Sequence, residues 1–408
     1  MQIRNLLLLA PFVTVCAAQN DPLSAFAQAL NSNGLTAFAG LLPTLNQSTV
    51  GQRLFQTLTA GGNFSLFIPN NDAVSRVPAN VASDGDTLAN IVSYHVVPGN
   101  FSDSSGSITS ETLPNVTVGR TLLNDSAFVQ LEGNRSQVLV WGKNSGGAVR
   151  ILNQPRNTTI QNTTSFGGFG IYAIDDVLTP PPAFSQALLA GNTATPSLAA
   201  DGILGLLNNT FTTGADGNNV SCTSLLDGSA VRGFTFFVPN NAALQAAQSS
   251  LASLQSNATA VRVVLGNHII NGSTLYSTTL ANATSASGEP LTFITNSTGT
   301  FVSSGNVATA QIVATNVLTK NGVLHIINGV LANTQSDDAA ASSAFSQASA
   351  TATQSASGTG PLTTPTNSNG NNGGNGNGNG NNGAFSLHAR FSSPILAVVA
   401  FVTIAILV

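Results

Sequence analysis

The chain has 408 residues, 42% of them hydrophobic and only 7% charged, with a net charge of −4. Its 12 Lys and Arg residues form no basic stripe, so nucleic acid is excluded as a partner. A surface this poor in charge needs another source of solubility.

Residues 1–18 read as a secretory signal peptide. Arg4 supplies the positive region, Leu6 to Val15 the short apolar region, and Cys16-Ala17-Ala18 a small-residue cleavage site before Gln19. The apolar run is shorter than the roughly 20 residues a membrane span needs. With Cys16 removed, Cys222 stands alone, either shielded in the fold or paired with another molecule.

The mature chain opens with a predicted helix. Asp21 is a candidate N-cap with Pro22 in the first turn, and Leu23, Phe26, Ala27 and Leu30 share one face. A second stripe, Val50, Leu54 and Leu58, ends at Gly61-Gly62. Phe64 to Ile68 then reads as a strand stopped by Pro69, with Asn70-Asn71-Asp72 offering caps for a short helix. Leu88, Ile91 and Val92 are helically spaced and lead into an extended run, Tyr94-His95-Val96-Val97-Pro98-Gly99. Gly170 to Leu178 reads as a strand, a turn and a last short strand.

The same order then recurs. AFAQAL at Ala25 returns as AFSQAL at Ala183, and FSLFIPNNDAV at Phe64 returns as FTFFVPNNAAL at Phe234. Val261, Val264 and Leu265 precede Asn267-His268-Ile269-Ile270-Asn271-Gly272, and Val323 to Leu331 closes the unit. A repeat of about 150 residues is a duplicated domain, each copy long enough to bury its own core. The expected domains are 19–179 and 182–333, joined at Pro180-Pro181-Pro182.

Residues 334–383 are Ser/Thr/Ala-rich and then almost pure Asn and Gly, a composition expected to form a disordered stalk. Residues 384–408 hold a short spacer and an apolar tail, Pro394 to Val408. Small residues, spacer and terminal apolar tail make the layout of a GPI-attachment signal. Asn382 is the expected attachment residue, with Asn381 and Gly383 as neighbouring alternatives. Candidate N-glycosylation sequons begin at Asn46, Asn63, Asn100, Asn115, Asn124, Asn134, Asn157, Asn162, Asn208, Asn219, Asn257, Asn271, Asn282 and Asn296. Glycans at these sites would supply the missing solubility.

These landmarks resemble the fasciclin (FAS1) domain family in tandem. Phe64 to Val74 and Phe234 to Leu244 are similar to its first signature, T-x-F-A-P-x-N-x-A-F. Tyr94 to Gly99 match its Tyr-His-Val-Val-Pro-Gly signature, of which the second unit keeps His268 and Gly272. Asn321 to Leu331 match the closing signature, N-G-V-I-H-V-I-D-x-V-L, which is degraded at Gly170 to Leu178, where Tyr172 replaces the histidine. The resemblance implies an α+β fold, each domain a wedge of two packed β-sheets wrapped by helices. It also implies an extracellular adhesion or matrix-binding module, often GPI-anchored. Its expected partners are cell-surface or wall and matrix glycans or glycoproteins, with the membrane reached through the GPI lipid. A structural wall or membrane-organising glycoprotein without a discrete ligand is the alternative. The Asn/Gly tail without Pro-Ala glycomodules resembles fungal rather than plant members.

No catalytic constellation stands out, and no enzyme activity or cofactor is expected. His95 beside Tyr94 is read as a structural core histidine, with Asp72 or a backbone carbonyl as its partner. At the place of Asp72 the second unit has Ala242, so His268 needs another acceptor. His268 and His325 fall short of a zinc site, which takes at least three protein ligands. Asp175 and Asp176 are strand neighbours that point to opposite faces, which suits solvated turn residues better than a glycosidase pair.

Overall fold

The structure, a computed structural model, describes residues 22–101, 110–111, 116–190, 200–213, 218–254 and 257–353. The expected signal peptide, Asn115, the Asn/Gly run, Asn382 and the apolar tail lie outside the described residues.

The first domain begins with three helices, Pro22–Ser32, Thr36–Gln47 and Thr49–Thr59. The middle one has no counterpart in the expected pattern because it contains Pro43, a residue that removes a helical donor. Ser48 ends it and caps the next, its hydroxyl accepting from Gly51 N at 2.8 Å. The strands are β1 (Phe64–Pro69), β2 (Val96–Pro98), β3 (Thr117–Arg120), β4 (Val138–Lys143), β5 (Val149–Ile151), β6 (Thr158–Phe166) and β7 (Phe169–Ile174). They lie in the order β2-β1-β7-β6-β5-β4-β3, with β1 and β7 parallel.

The expected wedge of two sheets is made from one continuous ribbon. β6 belongs to both halves: Thr158 and Thr159 pair with β5, while Ile160 onward pairs with β7 across a register shift at Ile160 and Asn162. Such a bulge bends a strand. Alternation along β1 and β7 then serves two cores. Leu66, Ile68 and Ile171 face the helices, packing with Phe26, Leu30, Leu42 and Leu54. Phe67, Tyr172 and Ile174 face the other half of the ribbon, against Leu139, Trp141 and Ile151.

The second domain repeats the design. Helices Phe184–Ala190, Ala200–Asn209 and Cys222–Asp227 flank a small hairpin, β8 (Phe211–Thr213) with β9 (Asn219–Ser221). Its main strands are β10 (Phe234–Pro239), β11 (Ile269–Asn271), β12 (Ala283–Thr284), β13 (Pro290–Asn296), β14 (Gly299–Ser304), β15 (Ala308–Thr319) and β16 (Gly322–Ile327). Their order, β11-β10-β16-β15-β14-β13-β12, matches the first sheet strand for strand.

Three details differ from the sequence reading. Tyr94 is not extended: it ends helix Gly85–Tyr94 and His95 is its C-cap, because the β-branched pair Val96-Val97 starts the strand only afterwards. The last short strand of each unit does not form; Leu178 and Leu331 follow β7 and β16 as buried, irregular chain. The stalk is not disordered from its start, since Asp338–Thr353 is a 16-residue helix. Asp337 caps it, accepting from Ala340 N at 2.9 Å, and alanine, the best helix former, fills much of it.

The two domains meet along a closed seam. Val116, Val118, Val138 and Val140 of the first pack on Tyr276, Leu318 and Val323 of the second. Polar bonds flank this strip: Gln137 Nε2 donates to Thr319 O at 3.0 Å, and Gln130 N to Lys320 O at 2.8 Å. Glu132, itself buried, accepts from Thr274 Oγ1 at 2.7 Å and pairs with Arg135 at 3.1 Å. It fits only because Gly233 opposite has no Cβ and a φ of +75°. The C-terminal helix lies over the same region, with Phe345 and Ala348 against Gly272 and Ala352 against Gly133. Replacing Glu132 with Ala strands these donors and is expected to destabilise the protein by about 1–3 kcal/mol. Calorimetry is expected to show one transition in the parent and two in Glu132→Ala; an unchanged single transition contradicts the coupling.

Candidate functional site

Helix Gly85–Tyr94 starts at Asp84, whose carboxylate accepts from Asp86 N and Thr87 N at 3.1 and 3.3 Å. The bond to the Thr87 hydroxyl and the backbone bonds at this cap hold the Asp84 carboxyl below its ordinary range. The helix ends on His95, 1% exposed. Its Nδ1 lies 2.8 Å from Ile91 O, one turn back. Leu178 N donates to Nε2 at 2.9 Å, which makes Nε2 the acceptor and Nδ1–H the donor. Burial pulls the His95 pKa down to about 4, opposed by the bond to Ile91. The ring is therefore neutral and wholly engaged with backbone.

His268 repeats this arrangement. Its Nδ1 lies 2.8 Å from Val264 O and its Nε2 accepts from Leu331 N at 2.9 Å. Burial again brings its pKa to about 4. Of the two partners expected for His95, Asp72 is therefore wrong and a backbone carbonyl right. Asp72 lies exposed in the first turn of helix Asn71–Ser75, whose cap is Asn70. The same backbone solution explains why Ala242 suffices in the second domain.

His325 and Tyr172 hold corresponding places on β16 and β7. The His325 ring stacks on Phe237, 5.6 Å between centroids, as Tyr172 stacks on Phe67 at 5.4 Å. His325 Nε2 donates to Leu275 O at 2.8 Å, and burial takes its pKa to about 4. Tyr94 is also fully buried, which pushes its phenol pKa far up, with Tyr276 adding to the effect and Gln154 opposing it. Asp175 and Asp176 diverge as expected, but neither is simply solvated. Asp175 accepts from Thr159 N at 2.7 Å and Oγ1 at 2.6 Å, while Asp176 pairs with Arg76 at 3.2 Å. Among the described residues no group of three or more His, Cys, Asp or Glu could hold a metal ion. Cys222 is a free, half-buried residue at the start of its helix, and burial raises its pKa.

The outer surface carries the more distinctive pattern. Thirteen sequon asparagines fall within the described residues; twelve are exposed and Asn271 is half-buried. An N-glycan attaches to the side-chain Nδ2. Asn33, Asn71, Asn90, Asn153, Asn209 and Asn267 donate that atom to hydrogen bonds, as do Asn316, Asn321, Asn328 and Asn333. None of these ten is the acceptor asparagine of a sequon, although Asn209 is the middle residue of the one at Asn208. Six sequon side chains accept through Oδ1: Asn134 from Arg232, Asn157 from Arg150, Asn162 from Thr163 N, Asn257 from Ala260 N, Asn282 from Phe293 N and Asn296 from Thr298 N. The asparagines that donate through Nδ2 in these bonds are thus ones with which no sequon begins, while the sequon asparagines are almost all exposed.

A pair of α+β wedges with matching strand order, each locked by a buried histidine and bearing outward sequons, defines a tandem module. The fasciclin domain model matches residues 22–180 and 210–333, and the chain belongs to that family. Among curated proteins it is similar to a fasciclin-like arabinogalactan protein of Arthroderma benhamiae, 26% identical over 63% of this chain and 54% of the relative. It is also similar to cell surface glycolipoprotein MPB83 of Mycobacterium bovis, 28% identical over 41% of this chain and 60% of that protein. The chain thus spans a little over half the length of these relatives. A solved fasciclin domain pair from the insect cell adhesion molecule Fasciclin I covers 74% of this chain and is itself covered to 97%, at 14% identity and a TM-score of 0.33.

Proposed function

We propose that this protein is a cell-surface adhesion glycoprotein. Its two fasciclin domains stand on a C-terminal stalk, and a GPI lipid at Asn382 holds it at the outer face of the plasma membrane or hands it on to the cell wall. The observation that carries the reading is the set of exposed sequon asparagines on a sparsely charged tandem fasciclin body. The named relatives, a fasciclin-like arabinogalactan protein and a cell surface glycolipoprotein, support it. The three buried histidines are each engaged with backbone, which leaves them to stability rather than to chemistry. The partners are wall or matrix glycans and glycoproteins. Single contacts of this kind are weak, and surface density supplies avidity; two linked sites gain about 10²–10⁴-fold without a new contact.

Two measurements test this. Phosphatidylinositol-specific phospholipase is expected to release the protein from membranes; retention with the apolar tail peptide still attached overturns the anchor. The secreted protein displayed densely on beads is expected to capture wall or matrix material above a glycan-matched control. Beads that capture nothing, with attachment unchanged in a deletion strain, overturn adhesion.

A further inference from the structure

In the first domain the outward valines of β3 and β4 are covered by the second domain. β13 holds in the second sheet the place that β4 holds in the first. No third domain follows among the described residues, and the outward face of β13 to β15 is open. Ile294 is 59% and Val313 37% exposed, and Phe301 is half-buried. Ile294 stands opposite Phe301 and Phe301 opposite Gln311, so these side chains form one row on that face.

The sequence supplies an occupant for this face. β13 ends at Asn296, the first residue of the sequon Asn296-Ser297-Thr298. Residues two apart on a strand share a face, so Asn296 lies on the side of Ile294. Asn296 Oδ1 accepts from Thr298 N at 2.8 Å and from Thr298 Oγ1 at 2.6 Å. This turn fixes the oxygen end of the amide against the hairpin and leaves Nδ2 for modification.

We propose that Asn296 carries an N-linked glycan whose first N-acetylglucosamine units lie over Ile294, Phe301 and Val313. The sugar comes from a lipid-linked oligosaccharide diphosphate: the bond from sugar C1 to the phosphate oxygen breaks, Nδ2 bonds to C1 and loses a proton, and the lipid diphosphate leaves. The C–H face of a pyranose covers apolar side chains, while its edge hydroxyls meet Gln311 and the hydroxyls of Thr309 and Ser303. The glycan closes the face that tandem packing closes in the first domain, as a polar cap closes the last unit of a repeat array. It also keeps a second copy of the chain from stacking there. The proposal rests on the secretory reading above.

The test uses the full chain secreted from a eukaryotic host. Peptide mass spectrometry is expected to find Asn296 occupied. Hydrogen exchange along β13 to β15 is expected to rise in part when an endoglycosidase trims each glycan to one sugar, and to rise several-fold when an amidase removes it entirely. Binding of an apolar dye is expected to rise in step, and Ile294→Thr to abolish that rise. Asn296→Gln is expected to reproduce full removal. If other sequons are occupied and Asn296 is bare, or if full removal leaves exchange unchanged, this proposal falls alone. If no sequon is occupied, the secretory reading falls with it.

Discussion

Acidification from pH 7 to pH 4 is expected to strip the protein of most of its stability. His95, His268 and His325 each have a pKa near 4 in the folded state, against about 6.5 in an unfolded chain. The unfolded state therefore binds more protons between those values. The stabilisation is complete above about pH 6.5, is lost progressively as the pH falls toward 4, and declines no further from this source below that. Each pH unit of differential proton uptake is worth about 1.4 kcal/mol, so one histidine accounts for about 3 kcal/mol. Three together rival the roughly 5–15 kcal/mol that holds a typical protein folded. Denaturant titrations at pH 7, 5.5 and 4.5 measure this directly. His95→Gln is expected to flatten the dependence, and a parent protein whose midpoint is the same at all three pH values contradicts the buried neutral state.

His95→Ala is the most damaging single change expected at neutral pH. It leaves Leu178 N and Ile91 O without the ring that joins them. An unpaired buried group costs about 1–3 kcal/mol, so the two together come to about 2–6 kcal/mol before the cavity is counted. The substitution detaches the segment that follows β7 from the helix that precedes β2. His268→Ala is expected to do the same between Leu331 and Val264 in the second domain. Thermal melts of both variants check this, with His95→Gln expected to fall between His95→Ala and the parent. A full melting temperature combined with lost bead capture would instead place His95 in a binding site.

The elements with apolar periodicity were legible in the sequence. The strand with the Pro stop at Phe64, its repeat at Phe234, and the helices around Leu88 and Val261 all stand where their spacing puts them. What escaped has identifiable causes. A backbone carbonyl was expected for His95, but its second partner, the amide of Leu178, lies 83 positions away, and backbone leaves no mark in a sequence. The C-terminal helix hides because its inward stripe, Ala341, Ala344, Phe345, Ala348 and Ala352, is nearly all alanine within a Ser/Thr-rich segment. The seam was invisible because Val138 and Val140 read equally well as the inside of one domain or the joint between two. The sequons were legible one by one. That ten other asparagines are held by bonds through Nδ2 emerges only from the hydrogen bonds.

The C-terminal helix also determines how a mechanical load enters the molecule. Its last described turn rests at Gly133, in the first domain, although the helix follows the second domain in sequence. Tension on the chain beyond Thr353 therefore arrives beside the joint rather than at the far tip of the second sheet. It peels the helix from its C-terminal end, turn by turn, breaking alanine contacts before any sheet ladder is strained. Each helical residue spans about 1.5 Å and each extended one up to about 3.5 Å, so unrolling these 16 residues releases roughly 30 Å of slack. Under such a load the helix is expected to yield before either sheet, sparing both domains.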